Sequence, residues 1–259
     1  MTPLLQAQEV SVSFDGFVAV DRAHFTLEAG GLVGIAGTNG AGKSTLFGAL
    51  AGQVSVSHGH VRFDQQDITQ WPPYRRAQHG LARTFQVPRE FGSLSVLDNL
   101  RAAAPHTAHE SLAAAWWGRT AARRADEALA QQADEVLSLT GLTHMREMPA
   151  AALSGGQKKL LELARALMGN PRCILLDEPF AGVNPVLIEQ LLDVLRSIHD
   201  QGIALVIIEH HLQALKSLVP RLVVMDQGRV IADGPPAQVL DDPQVQSAYM
   251  GGMAGGVTA

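Results

Sequence analysis

The chain has little of several residues that define other classes of protein. One cysteine among 259 residues cannot form an internal disulfide, which is typical of a protein that folds in a reducing compartment. Lys and Arg number 20 against 25 Asp and Glu, for a formal net charge of −5. We therefore expect no broad basic surface and no nucleic acid partner.

Long apolar runs are also missing. The longest strongly apolar stretches, 203–208 and 222–225, are far shorter than the roughly 20 residues of a membrane span. The N-terminus has no basic and apolar export segment. We expect a chain that does not cross a membrane and has any membrane role through a partner. The apolar content of 46% still excludes global disorder, and Cys173, inside an apolar run, is expected to be a core residue.

The order of patterns along the chain predicts an α/β fold. Short strands are expected within residues 4–35, and helices and strands alternate after residue 155, which is typical of a mostly parallel sheet with helices on its faces. Residues 96–139 are Ala-rich with interspersed charges and predict a separate helical lobe. Gly228 and Gly234 indicate a turn, and residues 251–259 are expected to fray.

A glycine-rich loop follows the third predicted strand. It fits the phosphate-binding pattern G-x-x-x-x-G-K-[ST], and its predicted ligand is ATP or GTP. Backbone N–H groups and the start of the next helix surround the phosphates; Lys43 contacts the β- and γ-phosphates, the Ser44 hydroxyl faces Mg²⁺, and Thr45 reaches the α-phosphate. The candidate binding residues are Gly37, Thr38, Asn39, Gly40, Ala41, Gly42, Lys43, Ser44 and Thr45.

Two adjacent carboxylates end the apolar run 173–176. Asp177 falls at the carboxyl edge of a predicted strand, where open α/β sheets bind ligands, and we expect it to hold Mg²⁺ largely through water. Glu178 is the candidate general base for an attacking water.

A third motif runs from Leu153 to Gln157, as Leu153-Ser154-Gly155-Gly156-Gln157. Ser154 and Gln157 have the spacing of a capping box at a helix start. The two glycines are costly in a first helical turn and indicate amide groups held bare against an anion. Both interpretations hold together.

The order of these three motifs resembles the ATP-binding subunit of ABC transporters, over about residues 4–249. The resemblance implies a P-loop NTPase core with an N-terminal antiparallel β subdomain and an inserted α-helical lobe. It implies one ATP-binding domain over 1–250, with core about 1–86 and 161–237 and lobe about 87–160, followed by a C-terminal helix and flexible tail within 238–259. Two subunits would pack head to tail, so that residues 153–157 of one close over the γ-phosphate held by the other.

The resemblance also assigns the lesser motifs. Gln86 matches the glutamine that contacts Mg²⁺ and the attacking water, and His210 matches the histidine on the γ-phosphate. Phe14 resembles the aromatic residue that stacks on adenine, although core packing and nearby Phe17 are alternatives. The loop of Ala181, Gly182, Val183 and Asn184 matches the segment that communicates across the dimer, while Asn184 before Pro185 is also a plain helix cap.

Within the family, 80–86, 177–185 and the tail 242–249 resemble the first ATPase of branched-chain amino acid importers. The implied ligands are ATP and Mg²⁺. The implied partners are a second ATP-binding subunit, identical or paralogous, transmembrane permease subunits that contact about 87–96, and indirectly a solute-binding protein. The chain would then lie at the cytoplasmic face of the plasma (inner) membrane.

Other functions remain open at this stage. An ATPase of a urea or amide importer or of lipopolysaccharide export is a close alternative, although the export ATPase usually departs from the Arg-Thr-Phe-Gln run ending at Gln86. A soluble ABC ATPase acting on ribosomes or DNA would carry two cassettes or long coiled-coil arms. A P-loop kinase would have no use for Ser154–Gln157.

Overall fold

The structure is a computed structural model that describes residues 2–84, 89–105, 119–210 and 212–254. Within these residues the strands are β1 (Leu5–Phe14), β2 (Phe17–Leu27), β3 (Leu32–Gly37), β4 (His58–Phe63), β5 (Gln66–Asp67), β6 (Leu81–Arg83), β7 (Cys173–Asp177), β8 (Ala204–Ile208), β9 (Arg221–Asp226) and β10 (Arg229–Gly234). The helices are α1 (Lys43–Ala51), α2 (Pro73–Gln78), α3 (Val96–Ala103), α4 (Arg119–Leu139), α5 (Gly155–Leu167), α6 (Pro185–Asp200), α7 (Leu212–Leu218), α8 (Pro236–Asp241) and α9 (Pro243–Ala254). The predicted α/β class is confirmed.

The strands form two sheets. One is antiparallel, in the order β2-β1-β4-β5, and its first hairpin turns at Asp15 and Gly16, whose φ angles of 46° and 88° are those of a tight two-residue turn. The other has the order β10-β9-β3-β8-β7-β6, parallel except for β10. Its strands β3, β7 and β8 are buried throughout, which is why they read as unbroken apolar runs. Their carboxyl ends share one edge.

A hydrophobic core holds α1 against the strands. Leu46, Phe47 and Leu50 of this helix are fully buried in one cluster with residues of both sheets. Cys173 lies in the same cluster, and burial raises the pKa of its thiol, so its predicted core role is confirmed.

A buried arginine closes the C-terminal end of α1. Arg76 is 1% exposed, and burial lowers its pKa to about 10. Its positive charge lies at the negative end of the helix dipole. Its guanidinium donates to the carbonyl oxygens of Ala49 (2.7 Å), Leu50 (2.6 Å), Trp71 (3.0 Å) and Thr69 (3.0 Å). The helix that starts at the glycine loop is thereby fixed at its far end.

The chain divides into two compact units. The first contains 1–86, 172–181 and 195–259, and the second contains 87–171 and 182–194. Among the described residues, no helix combines the length and the hydrophobicity that a membrane span requires. The domain bounds inferred from the sequence stay a prediction.

Three local predictions need correction. The turn predicted at Gly228 does join β9 to β10, with φ 80°, but the segment from there to Gly234 is a strand, β10, whose partly buried residues lack a clear alternation. Helix α5 ends at Leu167, two residues before the predicted end. Helix α9 continues to Ala254, where fraying was expected, and residues 255–259 lie outside the described part of the chain.

Candidate nucleotide site

The loop between β3 and α1 has a backbone that requires glycine. At Gly37, with φ 150°, an added Cβ would lie 2.2 Å from the carbonyl oxygen of Met225, and at Gly42, with φ 94°, 2.5 Å from that of Ala19. Neither approach leaves room for a side chain, and left-handed φ values disfavour one. The loop therefore lies directly on neighbouring backbone.

Helix α1 begins with its amide groups uncapped. Gly42 occupies the N-cap position without a side-chain hydrogen bond, and the first turn has no acidic residue. The first N–H groups of a helix lack partners within it, and together with the positive end of the helix dipole they favour an anion. Ser44 is exposed and Thr45 is half-buried in this first turn, while Asn39 and Gly40 are exposed in the loop.

Lys43 is folded into the loop that precedes it. Its Nζ donates to the carbonyl oxygens of Gly37 (2.9 Å) and Thr38 (2.8 Å), and the residue is 5% exposed. Burial lowers the pKa of Lys43, while the negative charges of Glu178 and Asp177 act in the opposite direction. The ammonium group of Lys43 is thus within electrostatic range of both carboxylates predicted from the sequence.

Asp177 ends β7 and is paired with an arginine. Its side chain is 8% exposed, and its Oδ2 accepts from Nη2 of Arg83 at 2.6 Å. The arginine ends the neighbouring parallel strand β6. No role was predicted for Arg83 from the sequence, although its position three residues before Gln86 was an available signal.

Glu178 and His210 meet at the carboxyl edge of the sheet. Glu178 Oε1 lies 2.8 Å from Nε2 of His210, with side chains 15% and 43% exposed. The backbone of Glu178 has φ 48°, which is strained for a residue with a side chain and is a feature often kept at functional sites. The structure brings these two predicted residues into direct contact.

Glu209 supports this pair and was not identified from the sequence. It is 3% exposed, and its carboxylate accepts from the amides of Phe180 (2.6 Å) and His210 (3.0 Å). It therefore ties the segment after β7 to the segment after β8. Its place next to His210 was the only signal available beforehand.

The start of α5 in the second unit contains the predicted capping box. The Ser154 amide donates to Oε1 of Gln157 at 2.8 Å, and the Gln157 amide donates to Oγ of Ser154 at 3.4 Å. Leu153 is buried beside it, whereas Ser154 and Gly155 are exposed.

The two glycines of this motif have different surroundings. A Cβ on Gly155 would meet no atom of the described residues within 4 Å, whereas one on Gly156 would lie 1.8 Å from Cδ2 of Leu187 and 3.4 Å from Cγ1 of Val183. Close packing against Leu187 is therefore a sufficient reason for glycine at position 156. No steric clash with the described residues requires glycine at position 155. The interpretation that glycine leaves the backbone amide open to an anion therefore still applies to Gly155.

The loop 181–184 leads into α6. The amide of Ala181 donates to the carbonyl oxygen of Glu178 at 3.2 Å, and Gly182 is exposed with φ 70°. Asn184 Oδ1 accepts from the amide of Leu187 at 2.9 Å, so its side chain caps α6.

Phe14 lies on the surface and not in the core. It is 48% exposed at the hairpin end, directly opposite Phe17, which is 69% exposed. The alternative prediction that Phe14 packs in the core is thus wrong. Both Phe14 and Phe17 remain candidates for stacking on adenine. Gln86 lies outside the described residues.

The C-terminal helix α9 contacts the loop. The hydroxyl of Tyr249 is buried beside the backbone of Gly37, and burial raises its pKa. A cavity of about 640 Å³ lies nearby, lined on one side by the loop residues Thr38–Ala41 and on the other by residues of α9 that include Gln244 and Ser247. From the sequence, residues 242–249 contributed only to the family resemblance, and no contact of this helix with the loop was predicted.

Two families match this chain. The ABC transporter family matches residues 20–181, which include the glycine loop, the Ser154 motif and both carboxylates. A family described as branched-chain amino acid ATP-binding cassette transporter matches residues 229–255, which include β10 and α9.

Individual relatives match over nearly the whole chain. A probable branched-chain amino acid transport ATP-binding protein, LivG, of Archaeoglobus fulgidus is 36% identical, covering 96% of this chain and 95% of the relative. The lipopolysaccharide export system ATP-binding protein LptB of Acidithiobacillus ferridurans is 34% identical, covering 97% and 98%. A crystal structure of the ADP conformation of an ATP-binding cassette of an ABC transporter has a TM-score of 0.83 and 32% identity, covering 97% of this chain and 100% of that chain.

Proposed function

The chain belongs to the ABC transporter family, and from this premise we propose that it is the ATP-hydrolysing subunit of a transporter for branched-chain or related amino acids. It binds nucleotide, as ATPases of this family do. In the proposal it works at the cytoplasmic face of the membrane, bound to a separate permease, with residues 1–250 as one ATP-binding domain.

The observation that carries the proposal is the position of Lys43. Its ammonium group is bound to carbonyl oxygens inside the loop and interacts with Asp177 and Glu178. When phosphates enter the loop, they offer this group stronger, charged acceptors than the two carbonyls. The adjoining uncapped amides of α1 supply further donors.

Two groups fit a magnesium ion bound with the nucleotide. The Ser44 hydroxyl and the Asp177 carboxylate are oxygen ligands of the kind Mg²⁺ prefers, and Asp177 already holds a cationic partner. Bound Mg²⁺ would neutralise charge that develops on the transferred phosphoryl group. Gln86 is the proposed third group, from the sequence.

Hydrolysis is assigned to Glu178 and His210. Glu178 accepts a proton from the water that attacks the γ-phosphorus, and the bond to the β-phosphate oxygen breaks to release ADP and phosphate. His210, 2.8 Å from Glu178, orients the carboxylate and contacts the γ-phosphate. Glu209 holds the backbone of His210 in place through its amide.

A second copy or a paralogous chain completes the site. Ser154 and Gly155 are exposed at the start of α5, where a γ-phosphate held by a partner subunit can approach the helix amides. Ala181–Asn184 would contact the same partner, and Phe14 or Phe17 would stack on adenine.

An exposed apolar surface in the second unit supports permease docking. Phe91, Leu94 and Met148 are 49%, 37% and 40% exposed, and the two segments that contain them are paired, because the Ala150 amide donates to the carbonyl oxygen of Leu94 at 2.9 Å. Exposed apolar side chains grouped in this way are typical of interaction sites. A short cytoplasmic helix of the permease is the proposed occupant, and a solute-binding protein would act on the permease from the other side.

The transported solute is proposed by similarity. The branched-chain amino acid family at residues 229–255 and the LivG relative support an amino acid. The LptB relative supports the alternative of lipopolysaccharide export, and a urea or amide importer is a third candidate by resemblance. Isolation from membranes with the permease, followed by ATPase assays with branched-chain amino acids, urea and lipopolysaccharide, distinguishes the three.

The nucleotide assignment is tested with Lys43→Ala. Titration with a fluorescent ATP analogue is expected to show loss of affinity, because the only side-chain cation in the loop is removed. Lys216→Ala, an exposed lysine on α7, is the control and is expected to bind like the wild type. Unchanged binding by Lys43→Ala would remove the phosphate-loop assignment, and co-purification with ribosomes or DNA in place of a permease would overturn the transport proposal.

A further inference from the structure

Arg83 lies between α1 and the carboxylate that ends β7. Its Nη2 donates to Asp177 Oδ2 at 2.6 Å, its Nη1 donates to Gln53 Oε1 at 2.5 Å, and its Cζ lies 5.7 Å from the centre of the Phe47 ring. Phe47 belongs to α1, and Gln53 follows Gly52, the C-cap residue of that helix. One guanidinium group therefore connects the phosphate-loop helix to Asp177.

The pair neutralises a carboxylate that water hardly reaches. The side chains of Arg83 and Asp177 are 14% and 8% exposed. A buried carboxylate is costly unless a cation and hydrogen bonds compensate it, and Arg83 provides both. The negative charge of Asp177 is thus balanced by Arg83 within the protein itself.

The arginine is not fully satisfied in this position. Its Nε is buried and has no hydrogen-bond partner among the residues that the structure describes, so within them one of its five donors is unused on burial. A buried polar atom left in this way weakens the hold of the site on the guanidinium. The Arg83 guanidinium is therefore held at Asp177 in a way that allows another cation to displace it.

We propose that Arg83 is a positioning residue that occupies Asp177 in place of Mg²⁺ when no nucleotide is bound, and so suppresses binding of the metal alone. The inference rests on the proposed role of Asp177 as a magnesium ligand. A divalent ion that binds Asp177 is repelled by the guanidinium at the same carboxylate. The phosphates of a bound nucleotide add negative charge near Asp177. With this charge present, Mg²⁺ binds Asp177 either beside the Arg83 guanidinium or after Arg83 has moved away.

The test measures Mn²⁺ binding to the nucleotide-free protein by electron paramagnetic resonance, with Mn²⁺ as the probe of the magnesium site. Arg83→Met is expected to bind Mn²⁺ about tenfold or more tightly than the wild type, because a positive charge next to a carboxylate changes its affinity for a cation by about that factor or more. Adding Asp177→Asn to this variant is expected to abolish the gain. Circular dichroism confirms that each variant is folded, and Arg83→Gln is a second neutral variant if the methionine variant folds poorly.

The chain offers a closely matched control in Arg172. Its Nη1 lies 2.6 Å from Asp64 Oδ2, and its Cζ lies 5.8 Å from the Phe63 ring, but both charged side chains are about half exposed at 50% and 52%. Arg172→Met also removes an arginine–aspartate pair and an arginine–phenylalanine contact, but away from the glycine loop. It is expected to leave Mn²⁺ affinity unchanged.

Nucleotide affinity in EDTA separates this inference from the proposed function. If Arg83→Met binds Mn²⁺ no more tightly, or more weakly, while nucleotide binding in EDTA is intact, Arg83 does not compete for Asp177 and the inference is wrong. If Arg83→Met loses nucleotide affinity in EDTA, the arginine is a nucleotide ligand and the inference is again wrong. If the wild type itself binds no nucleotide, the proposed function fails instead.

Discussion

The first two residues of α5, Gly155 and Gly156, provide a matched test of why glycine stands at each position. An alanine at position 155 meets open space, whereas at position 156 its Cβ overlaps Cδ2 of Leu187 at 1.8 Å. Replacing glycine by alanine in a helix contributes up to about 1 kcal/mol of stability through propensity. That gain applies to both positions, so the difference between the variants isolates the overlap.

We expect Gly156→Ala to be less stable than Gly155→Ala by about 1–3 kcal/mol, the usual cost of forcing extra volume into a packed site. Urea unfolding of both purified variants measures this difference through the denaturation midpoints. Equal stability of the two variants would refute the steric explanation of Gly156. Gly155→Ala is expected to keep its fold but to weaken ATP-dependent dimerisation, because a methyl group would cover the exposed start of the helix.

Two further predictions concern buried and half-buried charges. Glu209→Ala is expected to lower the free energy of unfolding by about 3 kcal/mol, because two charge-assisted hydrogen bonds of about 1.5 kcal/mol each are lost. It is also expected to slow ATP turnover more than it weakens ATP binding. Thermal unfolding, kinetic assays and binding assays check this, and an unchanged turnover rate would show that Glu209 does not support the site. Burial raises the pKa of Glu90, but the hydrogen bond and charge of Lys158 at 2.7 Å contribute to a net lowering. The pair therefore stabilises the fold at pH values above the unfolded pKa of about 4.3. This stabilisation is lost as the pH falls through the pKa of Glu90 in the folded protein. In urea unfolding, Lys158→Met should thus lower the free energy of unfolding by about 1 kcal/mol at pH 7 and by less below about pH 4. Arg123→Met, which breaks an exposed pair, should lower it by less at pH 7. A loss of stability in Lys158→Met that does not change with pH would contradict the assigned role of the Glu90–Lys158 pair.

Local patterns predicted local structure well. The spacing of Ser154 and Gln157 predicted the capping box that the structure contains. Asp177 was placed correctly at the end of a buried strand. Each of these features depends on residues that are close in sequence.

Features that join distant parts of the chain were not predictable. Arg83 and Asp177 are 94 residues apart and meet only because β6 and β7 are neighbours in the sheet. The bond from Phe180 to Glu209 spans 29 residues and depends on the pairing of β7 with β8. Strand β10 was missed because its partly buried residues carry no alternating pattern.

The central claim is that two chains bind ATP between them and that Glu178 drives its hydrolysis. Sedimentation velocity of Glu178→Gln with ATP and Mg²⁺ tests it most directly, because this variant is expected to bind ATP, fail to hydrolyse it and accumulate as a dimer. The same variant without ATP, and Lys43→Ala combined with Glu178→Gln, are expected to stay monomeric. A Glu178→Gln protein that remains a monomer at saturating ATP, or that hydrolyses ATP at the wild-type rate, would contradict the account.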